Sequence, residues 1–150
     1  MKHLHDPEVV EATKRRVAQL QPGSPRQWGR MDPAQALAHC AAGLETATGA
    51  LQLPRIWFGR LIGPLAKRKA LRDETPFHRN TPTARAFLIS EARDLDQERA
   101  RVLALIDAFA AAGPDGCTRH PHAFFGPLTP HEWAILMYKH LDHHLRQFGV

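Results

Sequence analysis

Three helix-length segments in this chain open with a capping side chain followed directly by proline: Asp6-Pro7, Asp32-Pro33 and Thr129-Pro130. Proline fits the first helical position because its missing N–H would have no partner there, and the preceding oxygen side chain caps the next free amides. The third start also carries Glu132 at the third helical position, which completes a capping box. No run of residues alternates apolar and polar as a half-buried strand would, so the chain is restricted to an all-α fold.

The first predicted helix runs from Pro7 to Leu20, with Val10, Val17 and Leu20 on one stripe, and Pro22-Gly23-Ser24-Pro25 stops it. The second runs from Pro33 to Gly49 and is rich in alanine, which lets a neighbour pack closely. Between Arg55 and Leu71, Gly59, Gly63 and Pro64 interrupt an apolar and basic pattern, so a short helix or an ordered loop is expected there. The third helix begins near Ser90 and continues to Ala112, with Leu95, Val102, Ile106 and Phe109 at helical spacing and Gly113-Pro114 at its end. The fourth runs from Pro130 to Phe148. Together these make a four-helix bundle in a single domain, residues 1–150, long enough to bury a core without disulfides.

No apolar run is long enough to span a bilayer, and Met1-Lys2-His3-Leu4-His5-Asp6 lacks the apolar core of a signal peptide. A cytoplasmic protein without a membrane partner is expected. Cys40 and Cys117 stand alone, which excludes a thiolate zinc site or a redox pair and leaves two buried, reduced thiols. The net charge of +5 gathers in Lys14-Arg15-Arg16 and in a stretch with Arg55, Arg60, Lys67, Arg68, Lys69 and Arg72. A solvated basic face explains these better than nucleic acid, since no recognition motif and no interleaved aromatics accompany them.

The chemistry is concentrated in the last helix. His140 and His144 are four residues apart, so they lie one turn apart on the same face, on a stripe with Trp133, Met137, Leu141 and Phe148. A buried imidazole must satisfy both ring nitrogens, and a metal bond on one with a hydrogen bond on the other does so. On spacing alone, a metal and a hydrogen-bonded pair across the bundle fit equally. His131-Glu132 resembles the start of a metalloprotease helix, but position 135 is Ile, so the second histidine is missing. Two ligands need a third. Outside the last helix, His39 is the one histidine inside a predicted long helix, on a face with Ala36, Gly43 and Leu44.

Trp28-Gly29-Arg30-Met31 leading into Ala38-His39-Cys40, with Asn80-Thr81-Pro82-Thr83, Phe124-Phe125-Gly126-Pro127-Leu128-Thr129 and the run from Tyr138 to Gly149, resembles the DinB/YfiT-like metal-binding four-helix bundles, in an uncharacterised bacterial branch. The resemblance covers most of the chain. It implies a divalent metal on His39, His140 and His144, with zinc or nickel ahead of manganese or iron. It also implies a small-molecule substrate and, by analogy with thiol transferases and isomerases of that superfamily, a low-molecular-weight thiol as cosubstrate.

A metal-dependent transferase or hydrolase is therefore the leading expectation, with His143 and Tyr138 as proton carriers and Arg146 as an anion-binding group. Each has a plainer reading: His143 in solvent, Tyr138 packed between helices, Arg146 paired with Asp142 four residues earlier. Cys40 points about 100° away from His39 and reads as core filling. The rival is a non-catalytic bundle braced by metal or by histidines, closed by a further ligand such as His78, His120 or His122. Ile56-Trp57-Phe58 offers apolar surface on which a homodimer could form.

Overall fold

In the computed structural model, which describes residues 1–81 and 87–150, all three proline-marked starts open helices. The Asp6 carboxylate accepts from the Glu8 amide and opens α1, Pro7–Gln19. Asp32 and Gln35 bond each other's main-chain amides reciprocally at the start of α2, Pro33–Thr48. The next two helices are α3, Gly59–Leu71, and α4, Leu95–Ala112, the latter followed by a 3₁₀ turn over Gly113–Gly116. The last helix, α5, Pro130–Gln147, opens with the expected box between Thr129 and Glu132. Among the described residues there is no strand, only one isolated bridge between His122 and Gly126.

Two boundaries depart from expectation. Helix α4 starts at Leu95 and not near Ser90, because the Asp94 carboxylate accepts from the Gln97 amide at 2.8 Å and supplies the cap, while Leu95 enters the core at once. The stretch after Arg55 is a helix from Gly59 onward, and its glycines are not interruptions. Gly59 and Gly63 sit one turn apart on the face that meets Phe124, where a Cβ would stand 2.8 Å and 2.2 Å from the Phe124 carbonyl oxygen. Their missing side chains let that main chain lie against the helix. Lys67 Nζ reinforces the contact by donating to Pro127 O and pairing with Glu132 at 3.0 Å.

Thirteen of the sixteen residues of α2 are buried, which makes it the central helix and explains its alanines. Helices α4 and α5 pack against it, and α1 packs on α4 and α5, with Val17, Leu44, Ile106, Phe109, Trp133 and Leu141 almost wholly enclosed. Each such side chain stabilises the fold by roughly 1.5–3 kcal/mol before entropy is charged against it. Helix α3 packs mainly on α5, and the buried Lys139 of α5 donates to Ala70 O at 2.6 Å and Asp73 O at 2.9 Å at its far end. Both cysteines are free; Cys40 is buried as expected, whereas Cys117 is only half-buried, because it follows the 3₁₀ turn at the surface. Of the Asn80-Thr81-Pro82-Thr83 stretch, Pro82 and Thr83 lie outside the described residues. No described helix is long and apolar enough to cross a membrane.

Candidate metal centre

His39 projects from the centre of α2, and His140 and His144 from successive turns of α5. One ring nitrogen from each of the three lies within 4.8 Å of the other two. The ring centroids are 4.7 Å apart for His39 with His140 and with His144, and 5.0 Å apart for His140 with His144. His39 and His144 are buried and His140 is half-buried.

Burial dominates their titration. It lowers His39 below the ordinary 6.5 against a weaker upward pull from the Phe87 hydrogen bond, and it brings His144 down to about 3 with His39 as a second cause. His140 is held well below 6.5 by burial and then by His39 and His144. All three rings are therefore neutral near pH 7, the state a cation requires.

The second nitrogens show which tautomer each ring takes. The Phe87 carbonyl can only accept, so the 2.8 Å contact puts the proton of His39 on Nδ1 and the lone pair on Nε2. Gln147, buried, donates from Nε2 to Trp28 O at 2.8 Å, which turns its Oε1 toward His144 Nδ1, also at 2.8 Å. His144 Nε2 is thereby left as the free lone pair. His140 Nε2 stands 2.8 Å from His39 Nε2, close enough to donate into it. Gly43 makes room for that ring, since a Cβ at position 43 would come within 2.7 Å of His140 Nδ1.

Three neutral imidazoles with converging nitrogens, two of them oriented by acceptors behind them, suit a divalent cation. No fourth His, Cys, Asp or Glu joins the group among the described residues. His78 is exposed, His120 Nε2 is engaged by Leu53 O at 3.1 Å, and His122 Nδ1 accepts the Phe124 and Phe125 amides. Burial pushes the Cys40 thiol far up, consistent with a core residue.

Beside the trio lies a cavity of about 340 Å³ lined by Gln27, Trp28, Pro76, Phe77, Arg79, His143, Arg146 and Gly149. The three clustered histidines are not in its lining. His143 stands between, its ring 5.0 Å from that of His144, 5.4 Å from Trp28 and 6.2 Å from Phe77. Burial lowers its pKa below 6.5, with Asp142 pulling the other way. Arg146 makes the expected pair with Asp142, Nε to Oδ2 at 2.7 Å, and also lines the cavity. Tyr138 does not: two residues before His140 it points about 200° around the helix, and it packs against the core.

Sequence reasoning named His39, His140, His144, His143 and Arg146 but gave no role to Gln147, Phe87, Trp28 or Arg79. Gln147 had a signal, three residues after His144 on the same helical face. The carbonyl of Phe87 had none, because its place depends on tertiary structure. A family model described as Protein of unknown function (DUF1569) matches residues 2–149. No curated protein and no solved structure matches the chain.

Proposed function

Because the chain belongs to this family of unknown function, which supplies no reaction, we propose from the site itself a metal-dependent enzyme acting on a small molecule, its ion held by His39, His140 and His144. The observation that carries this reading is the convergence of three ring nitrogens within 4.8 Å, with Phe87 O and Gln147 Oε1 behind two of them. We further read the fold as a DinB/YfiT-like four-helix bundle. Its support is that α1, α2, α4 and α5 pack together with α3 as an addition, and that the histidines fall on the second and last of those four.

When bound, a divalent ion on three neutral imidazoles supplies Lewis acidity toward a water or a thiol. The protein's own groups do the rest. His143, uncharged near pH 7, takes up the proton lost by the attacking water or thiol. Trp28 and Phe77 shield one side of it from solvent. Hydrolysis and thiol-linked transfer with a low-molecular-weight thiol are the two reactions this arrangement serves. Nitrogen ligands favour zinc or nickel over manganese or iron.

Elemental analysis of the full chain, loaded in turn with zinc, nickel, manganese and iron, tests the reading beside His140→Ala and His144→Ala. We expect about one ion per chain in the parent and almost none in either variant. An ion-free parent under every loading would sink it. One observation favours a non-catalytic histidine brace instead: the 2.8 Å between His39 Nε2 and His140 Nε2 is already a hydrogen bond, shorter than the about 3.3 Å separating two nitrogens on one tetrahedral zinc. The ion-free outcome would establish that brace.

A further inference from the structure

We propose that the cavity beside the histidine trio binds small organic oxyanions, a carboxylate or phosphate head on an apolar body. This deepens the enzyme reading by naming its substrate class, and in that role it rests on that reading.

The charge around the cavity is unbalanced. Its lining holds two guanidiniums, Arg79 and Arg146, and no carboxylate. Asp142, the acid that pairs with Arg146 and acts on His143, is buried and shared: Oδ1 accepts from Arg16 Nη1 and Oδ2 from Arg146 Nε, each at 2.7 Å. One carboxylate thus serves two guanidiniums, and Arg16 is held further by Val150 O at 2.9 Å. Among the described residues Arg146 is fixed to Asp142 through Nε alone, which leaves the two terminal Nη groups as a preset pair of donors.

Arg79 repeats the arrangement by other means. Its guanidinium carbon lies 4.3 Å over the Trp28 ring, so the indole face holds the cation while the N–H edge is left to donate. It has no carboxylate partner among the described residues. Two positioned forks need oxyanions, because a neutral ligand would leave charge-assisted donors unused and a cation would be repelled. Trp28, Phe77 and Pro76 form the apolar part of the wall, which inorganic ions cannot use and an organic body can. An anion held there lies beside His143, whose ring contacts His144. The substrate's charged end and the metal ligands are thereby brought to adjacent positions.

The test is an NMR titration of the full chain, metal-free and zinc-loaded, with benzoate, phenyl phosphate and the uncharged benzamide, following the Trp28 indole and the Gly149 amide. We expect saturable shifts with one or both anions and none with benzamide, and the tighter anion identifies the head group. Arg79→Gln and Arg146→Gln should each weaken binding about tenfold. Arg79 is exposed and makes no ion pair among the described residues, so its variant stays informative if loss of the Asp142 pair unfolds the other. Anion binding by a chain that takes no metal would overturn the enzyme reading and leave this one standing. Metal uptake without anion shifts, or shifts unchanged in Arg79→Gln, would overturn this one.

Discussion

Two trios of histidines lie along α5. Toward its C-terminal end His140 and His144 meet His39; at its start His131 meets His3, 4.9 Å between ring centroids, with His5 6.2 Å from His3. The closest ring spacings are nearly the same in both, yet their chemistry differs. In the first trio the nitrogens converge and two of the rings are held from behind by Phe87 and Gln147. In the second, His131 is exposed and His3 Nδ1 is spent accepting the His5 amide. The His5 ring stacks on Phe109 at 5.2 Å, with its Nε2 buried and unpartnered among the described residues. Proximity of rings does not make a ligand set; converging lone pairs and held tautomers do.

Acid should weaken both ends of α5, the first trio more, because burial lowers His5 of the second trio too, and His122 and His143 add to the same slope. The folded pKa values of His39, His140 and His144 lie below 6.5, His144 at about 3, so the unfolded chain takes up protons first as the pH falls. The metal-free protein therefore keeps this stability above pH 6.5 and loses it progressively toward pH 3. Each tenfold difference in proton affinity between the folded and unfolded chain is worth about 1.4 kcal/mol, so a loss of a few kcal/mol is expected between pH 7 and pH 4. Urea unfolding across that range measures it, and His131→Ala, which removes the least of the three causes lowering His5, should flatten the slope only slightly. A midpoint that does not move would contradict the buried, neutral trio.

A subtler change tests the groups behind the rings. Gln147→Ala removes the acceptor that fixes His144, and zinc affinity measured by chelator competition should fall about 10- to 100-fold. An unchanged affinity would mean that His144 is oriented by packing alone. The smallest effect is expected at the other end of α5. His131→Ala should change thermal stability by no more than about 0.5 kcal/mol, and a clearly larger loss would give the second trio a structural role.

Much of this was readable from local sequence. Asp6, Asp32 and Thr129 fixed three helix starts because a cap and a proline act within one turn. His140 and His144 were visible as a pair for the same reason, since spacing of four on a helix is a local fact. What escaped reading depends on distant chain. Gly59 and Gly63 looked like breaks until the Phe124 main chain filled the space they leave. Gly43 suited the interior, but only the fold shows that the His140 ring occupies its missing side chain. The carbonyls of Phe87 and Trp28 and the guanidinium of Arg79 carry no signal in the residues beside them. Their roles arise from elements far apart in sequence.

The close approach at Gly63 bears on how such a sequence can change over generations. With a carbonyl oxygen 2.2 Å from where a Cβ would stand, any first substitution lifts α3 off the chain before a second could accommodate it. Position 43, pressed against His140, is closed in the same way. Inherited variation is thereby steered away from these two contacts and toward the outer side of α3, where Leu61 and Leu65 stand in solvent and a change has nothing to displace.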